Sequence, residues 1–390
     1  MPRGDKPYRV YRAGRSRPKT PTLPRPGRRA DRDGQDGRGP VRPIPRPREQ
    51  RRRRFGWGPR VALALLLVVG LVVAWGVGSY LAFQSGMEEA NARIDARTRA
   101  ALVKQDGLLI SNPSIVLLLG TDHANRADRT TARRADSIML MRTDPQRGRV
   151  YYLSIPRDLL VDLPGVGEAK INAAYQVGGA PLAIRAVRTF TGLPVNHVAV
   201  VDFGSFAQLV DAVGNIEIDV PKPIISNKFD CPLDTDAECR RWKGWQFGKS
   251  KQELDGRRTL VYARIRTNQL DPRDSDITRE ERQQQVLDGI AGKVRKPTTL
   301  VRMPFIDDDL TRPLATDLST WEFLQLGWRR FRAARTIHCR LGGDAISIGG
   351  QSFLDPSEDN RNVIAMFLGV TAPQPPRPGS GLFGPGCVRR

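Results

Sequence analysis

In this 390-residue chain, the residues best suited to chemistry are acids and arginines placed where apolar runs end. The run SIVLLLG leads straight into Thr121 and Asp122, and Asp136 stands immediately before SIMLMR. If these runs are neighbouring strands, both carboxylates reach one sheet edge. There they would suit Mg²⁺ or Mn²⁺, held by one or two carboxylates with phosphate oxygens and water completing the octahedron. The plainer alternative is that Asp122 caps a turn and Asp136 is a solvated strand-start residue. SIPRD places Arg157 and Asp158 directly after a third apolar run, and Lys170 opens KINAAY. In TLVYARIRT, residues Thr259 to Ile265 read as a strand, so Arg264 and Arg266 project from one face and Val261, Ala263 and Ile265 from the other. Two arginines on one strand face either stand in solvent or grip an anion, and guanidinium forks match phosphate oxygens. DITREERQQQV begins a helix on which Arg279 shares a face with Arg282 and Gln283. Singly, each arginine reads as solvated surface. Together with two carboxylates they describe a pocket for a pyrophosphate and its metal, where cations offset charge developing on a leaving phosphate.

Other chemistries find no apparatus. The chain has three His and four Cys without a CxxC, which excludes a zinc ribbon. Gly248-Lys249-Ser250 lacks the earlier glycine of a phosphate-binding loop, because Lys243 occupies that position. No serine lies in GxSxG, and no cysteine is set as a nucleophile beside a histidine.

The elements that must position these groups alternate. Strands are expected at Ser114 to Gly120, Ser137 to Arg142, Val150 to Ile155, His197 to Val201 and Ile216 to Val220. Helical spacing runs through Pro181 to Phe190, Phe206 to Val213, residues 319–335 and Asn362 to Leu368. This pattern argues for an α/β sandwich around a largely buried sheet. Before it, Val61 to Phe83 contains no charged residue over 23 positions, enough to span a hydrocarbon core of about 30 Å. The run is too long and ends too bulkily for a cleaved signal peptide, so residues 61–83 read as an uncleaved transmembrane anchor. Charge is segregated around it. The net charge is +22, from 63 Lys+Arg against 41 Asp+Glu, and residues 1–60 hold 20 of the basic and only 5 of the acidic residues, with 11 of the 30 prolines. That tail, 1–60, reads as disordered. Arg51 to Arg54 and Arg60 on its side of the anchor, against Glu88 and Glu89 beyond, orient the tail to the cytoplasm and the rest outside. No recognition-helix pattern accompanies the basic residues. Topology and attraction to anionic lipid account for them better than a DNA-binding regulator would, and no nucleic-acid partner is expected. Residues 84–111 read as a helical stalk lifting the domain from the membrane, 112–370 as the domain, and 371–390 as a flexible Pro/Gly-rich tail. Outside the membrane, Cys231 and Cys239 can close a short disulfide loop and Cys339 can pair with Cys387; four cysteines allow three pairings, and proximity favours 231 with 239.

The blocks IVLLLGTD, RRADSIMLM, VYYLSIPRD, KINAAYQVGGAPLAIRAV, TGLPVNHVAVVDFGSFAQLVDAVGNIEIDV, ELDGRRTLVYARIR and DITREERQQQV, in this order over 114–290, resemble the LytR-CpsA-Psr family of membrane-anchored glycan phosphotransferases. The resemblance implies an αβα sandwich with a mixed central sheet and an apolar cavity for a polyprenyl tail. It also implies a Mg²⁺-dependent transferase that moves a glycan phosphate from a polyprenyl-pyrophosphate carrier onto peptidoglycan through a phosphodiester. Carried over by position, Asp122 and Asp136 resemble the metal-associated aspartates, and Arg157, Arg264, Arg266 and Arg279 the pyrophosphate-binding arginines. Lys170 and Gln283 match head-group positions, with Asp158 orienting Arg157. Two further readings remain open: hydrolysis of the pyrophosphate with water as acceptor, and a non-catalytic scaffold that binds polyprenyl lipid or wall polymer.

Overall fold

The structure, a computed structural model, describes residues 57–121, 135–272, 274, 276–302, 305–333, 335–377 and 384–389. Asp122 and the tail before Trp57 lie outside them. Helix α1 (Trp57–Ala92) contains the whole uncharged run and extends beyond it at both ends. Its last turns do not form a free stalk: Met87 and Ala90 are fully buried against the domain, and Arg93 donates to the carbonyls of Arg312 and Leu314 at 2.8 Å each. The expected stalk is therefore part of the domain. Its few apolar residues are spaced to bury one helix face, and a short helix, α2 (Ala96–Ala101), follows on Asp95, whose carboxylate caps it by accepting from the Thr98 amide at 2.8 Å.

Seven strands form the central sheet: β1 (Ser114–Thr121), β2 (Ala135–Asp144), β3 (Arg149–Ser154), β4 (His197–Asp202), β5 (Leu314–Thr316), β6 (Arg335–Arg340) and β7 (Gly386–Arg389), in the order β5-β4-β1-β2-β3-β6-β7. β1 runs parallel to β4 and β3 parallel to β6, and the remaining pairs are antiparallel, so the sheet is mixed. β1 is apolar on both faces because both are covered. Ile115, Leu117 and Leu119 face the core beneath α2, α3 (Ala173–Thr191) and α8 (Asn360–Phe367), whereas Val116 joins Met87, Leu318 and Leu326 under α1 and α7 (Thr320–Arg332). The result is the expected three-layer αβα sandwich. A smaller core gathers α4 (Phe203–Val213), α5 (Gly256–Arg264) and α6 (Asp276–Val294) on the antiparallel pair of Ile216–Val220 with Ser250–Leu254.

Two expectations are corrected here. Residues 371–390 are not loose to the end: β7 joins the sheet edge at β6, with Cys387 opposite and disulfide-bonded to Cys339. Cys231 and Cys239 form the other bridge. The segment Thr259 to Ile265 is not a strand but most of α5. Asp255 caps that helix, accepting from the Arg258 amide at 2.7 Å. Gly256 passes so close to α4 that a Cβ there would lie 1.9 Å from the Ala207 carbonyl oxygen. A cap followed by a glycine that only this approach explains outweighs the β-propensity of TLVY.

Candidate active site

The site lies where β1 ends and β2 begins. Gly120 pairs with Ser137 but Thr121 pairs with Ala135, so Asp136 is the extra residue of a β-bulge. Bulges re-aim side chains, and here the Asp136 carboxylate meets two guanidinium groups: Arg157 Nη1 donates to its Oδ1 at 2.8 Å and Arg266 Nη2 to the same oxygen at 3.4 Å. Gly120 is required at this corner, because a Cβ there would lie 2.6 Å from the Phe203 ring.

Arg157 follows β3 through Ile155 and Pro156, and it is held at both ends of its fork. Its Nε donates to Asp158 Oδ2 at 3.2 Å, while Asp158 Oδ1 accepts from Lys170 Nζ at 2.9 Å. Burial works to raise the Asp158 carboxyl, but the Lys170 hydrogen bond and the Arg157 charge outweigh it and hold the group below the ordinary carboxylate range. Lys170 arrives from the hairpin in which Leu160 pairs with Lys170, and its ammonium lies 5.2 Å from the Phe353 ring centre. Asp136, Arg157, Asp158, Lys170 and Arg266 therefore form one chain of alternating charge, each side chain partly open to solvent.

Arg264 and Arg266 do not share a strand face. Arg264 closes α5 and pairs with Asp230 over the Phe229 ring, whereas Ile265 turns the chain to an extended conformation and Arg266 reaches Asp136. This segment is anchored by Arg282, which spacing alone shows only as a helical neighbour of Arg279. Arg282, with 4% of its side chain exposed, donates to the Ile265 carbonyl at 2.7 Å and to Asp274 Oδ2 at 2.5 Å. Burial lowers the Arg282 guanidinium below its ordinary range, and the Asp274 carboxylate offsets only part of that.

Arg279 is buried on the first turns of α6. Gln283 accepts from Ser137 Oγ at 2.8 Å, next to Asp136. The two following glutamines repeat the device: Gln284 Nε2 donates to Ser154 Oγ at 2.9 Å, at the end of β3, and Gln285 Oε1 accepts from Tyr262 at 2.7 Å, on α5. Three consecutive glutamines thus tie one helix to the three elements that carry Asp136, Arg157 and Arg264. The run QQQ was the available signal, but spacing alone does not reveal partners so distant in sequence.

Among the described residues no three His, Cys, Asp or Glu side chains converge as a metal cage. A Mg²⁺ ion completed by substrate phosphates needs less: one or two carboxylates suffice. Both guanidinium contacts of Asp136 fall on Oδ1, so Oδ2 can take a cation while the arginines stay in place. The residues fit the ion to that extent, with Asp122 as the other candidate ligand.

The mixed sandwich belongs to a recognised class. The LytR_cpsA_psr family model matches residues 78–362, most of the chain, and the chain belongs to that family. It is 30% identical over 261 residues to the polyisoprenyl-teichoic acid–peptidoglycan teichoic acid transferase TagU of Enterococcus faecalis, covering 66% of this chain and 78% of the relative. It is 28% identical over 271 residues to the corresponding transferase TagV of Bacillus subtilis (68% and 65% covered) and 31% identical over 263 residues to the probable cell wall biosynthesis protein LcpB of Corynebacterium glutamicum (66% and 58%). The chain thus spans a little under two thirds of TagV and somewhat over half of LcpB. In fold it is similar to TagT bound to LI-WTA, with a TM-score of 0.53 at 22% identity over 70% of this chain and 96% of the other, and to TagT with bound octaprenyl pyrophosphate lipid, with a TM-score of 0.51 at 21% identity over 70% and 95%.

Proposed function

We propose that the protein is a membrane-anchored transferase that moves a glycan phosphate from a polyprenyl-pyrophosphate carrier onto peptidoglycan, in cell-wall biogenesis. The observation that carries this is the convergence of Arg157 and Arg266 on the bulged Asp136, with Lys170 joined to Arg157 through Asp158. That cluster has the charge and fork geometry to hold a pyrophosphate. Relatives whose names specify polyisoprenyl-linked teichoic acid as donor and peptidoglycan as acceptor support it.

The acceptor, a sugar hydroxyl of peptidoglycan, attacks the phosphorus nearer the glycan. One P–O bond forms, the bond to the bridging oxygen of the pyrophosphate breaks, the hydroxyl proton passes to solvent, and polyprenyl phosphate leaves with the bridging electrons. Arg157 and Arg266 hold the phosphate oxygens and offset the charge that grows on the leaving group. Asp158 and Lys170 keep the Arg157 fork in position. Asp136, with Asp122, would hold Mg²⁺ or Mn²⁺, which when bound neutralises phosphate charge. Arg264, Arg279 and Gln283 are the further head-group residues in this reading, Gln283 through its hydrogen bond to Ser137 beside Asp136. The catalytic domain faces outside the membrane and the N-terminal tail faces the cytoplasm. The arginines before the membrane helix support that orientation, as do two disulfides, which persist in oxidising compartments.

The test is release of polyprenyl phosphate from a polyprenyl-pyrophosphate-linked glycan by the purified full-length chain, with and without Mg²⁺ and with and without peptidoglycan. The proposal requires metal-dependent release, coupled to labelled glycan on peptidoglycan and lost in Asp136→Ala. Release that ignores peptidoglycan would make the site a pyrophosphatase. Tight binding without release in wild type and Asp136→Ala alike would make it a scaffold.

A further inference from the structure

Helix α7 is amphipathic in an unusual sense: its large apolar residues face outward as well as inward. Phe323 and Leu326 pack on the sheet with Met87 of α1. On the other side Trp321, Leu324, Trp328 and Phe331 are exposed by 59%, 40%, 49% and 53%. At about 100° per residue these four fall within an arc of about 80°, and the rise between first and last is about 15 Å. They therefore form one continuous stripe, not scattered exposures. Trp328 and Phe331 are stacked, with centroids 5.7 Å apart. The Ile110 amide donates to Gln325 at 3.1 Å, which brings a loop with two more exposed apolar residues, Leu108 and Ile110, beside the helix.

Two observations indicate what covers the stripe. α7 is fastened to the base of the membrane helix. Phe83, the last residue of the uncharged run, lies 5.5 Å ring to ring from Phe323, and Asn91 Nδ2 donates to the Leu318 carbonyl at 2.6 Å, just before the helix begins. α7 is thus held beside the point where the chain leaves the uncharged run, with Phe323 turned toward α1 and the exposed stripe on the opposite, outward face. Its rim is cationic: the Arg332 guanidinium lies 5.9 Å from the Trp328 ring centre and that of Arg295 5.5 Å from Phe331. Indole and phenyl rings flanked by arginines match a bilayer interface, where aromatic rings settle at headgroup depth and cations meet anionic lipid.

We propose that α7 is an interfacial foot: the Trp321, Leu324, Trp328, Phe331 stripe, with Leu108 and Ile110, rests in the surface of an anionic phospholipid bilayer and fixes the tilt of the domain on its single membrane helix. This depends on the membrane span and not on the transfer chemistry.

The full-length chain is reconstituted in nanodiscs of phosphatidylethanolamine and phosphatidylglycerol, with or without lipid brominated near the headgroup end of its acyl chains. Wild type is compared with Trp321→Phe/Trp328→Phe, which keeps the stripe apolar. The other four tryptophans are common to both, so the difference in fluorescence belongs to these two indoles. The expected result is that brominated lipid quenches this difference by about two-fold or more while aqueous acrylamide has little effect. A difference signal quenched by acrylamide but not by bromine would place the stripe in water. One quenched by neither would place it against a second copy. Either result overturns the proposal.

Discussion

Replacing Arg157 tests the centre of the site most directly, because its fork joins the two carboxylates that organise it, Asp136 at 2.8 Å and Asp158 at 3.2 Å. Arg157→Ala removes the cation as well as both bonds. Loss of one preorganised donor at a site of developing charge costs about 10²- to 10³-fold in kcat, or about 2.7–4 kcal/mol, and that is the expected fall in polyprenyl phosphate release. Arg157→Lys keeps the charge, but an ammonium is a single point and cannot span both carboxylates. It forfeits one charge-assisted bond, worth about 1.5–3 kcal/mol when fully screened from water. All three side chains are 17–24% exposed, so solvent reduces the loss to about 1 kcal/mol, a fall of about five-fold. The assay is the initial rate of release by full-length protein in nanodiscs at saturating Mg²⁺, with thermal melting as the check on folding. If Arg157→Ala stays within about three-fold of wild type, the guanidinium does not bear on the reacting phosphates. If the lysine variant is as impaired as the alanine variant, the division of its effect between charge and geometry is wrong.

Arg282→Leu leaves the fully buried Asp274 with the more exposed Lys222 ammonium at 3.4 Å, and is expected to destabilise the chain by about 3 kcal/mol in chemical denaturation; Asp274→Leu/Arg282→Leu should recover much of that stability but not the rate, because Ile265 loses its tether. Removing the Cys339–Cys387 bridge, which spans 48 residues, should cost about 4 kcal/mol by chain entropy, against about 2.5 kcal/mol for the Cys231–Cys239 bridge, which spans 8; melting of the two serine double variants measures both. Because the folded Asp158 carboxyl is held low, its contribution to stability is fully present above the unfolded value near 3.9 and is lost as pH falls through the lower folded value. The melting-temperature gap between wild type and Asp158→Asn should therefore be constant from about pH 7 to 5 and close only below about pH 4; a gap that closes near pH 6 would contradict the assignment.

Much of the framework was readable because local chemistry and global environment agree. β1 is apolar at successive positions, and only a strand covered on both faces can bury them all. SIPRD and KINAAY keep their charged residues at strand and hairpin ends, where the structure joins them through Asp158. The reading failed where a long-range contact decided a local choice. TLVYARI has the composition of a strand, yet Asp255 and the approach of Gly256 to Ala207 set it as a helix, so Arg264 and Arg266 diverge. The C-terminal residues read as loose from their Pro and Gly content, but Cys387 finds a partner 48 positions earlier and adds a strand to the sheet.

The sequence by itself determined the membrane helix, the three-layer class, the family and the set of charged residues from which a site can be built. The membrane helix and the alternation of strands and helices rest on composition and spacing within a few turns or strands; the family and the three-layer class it implies rest on the resemblance of the ordered motif blocks. Only the tertiary structure decided which charges meet. The bulge that aims Asp136, the tether from Arg282 to Ile265 and the three glutamines of α6 act between residues 17 to 146 positions apart. Hydrogen bonds of a few ångströms between groups so distant along the chain are set by how the layers pack, and no local pattern encodes that.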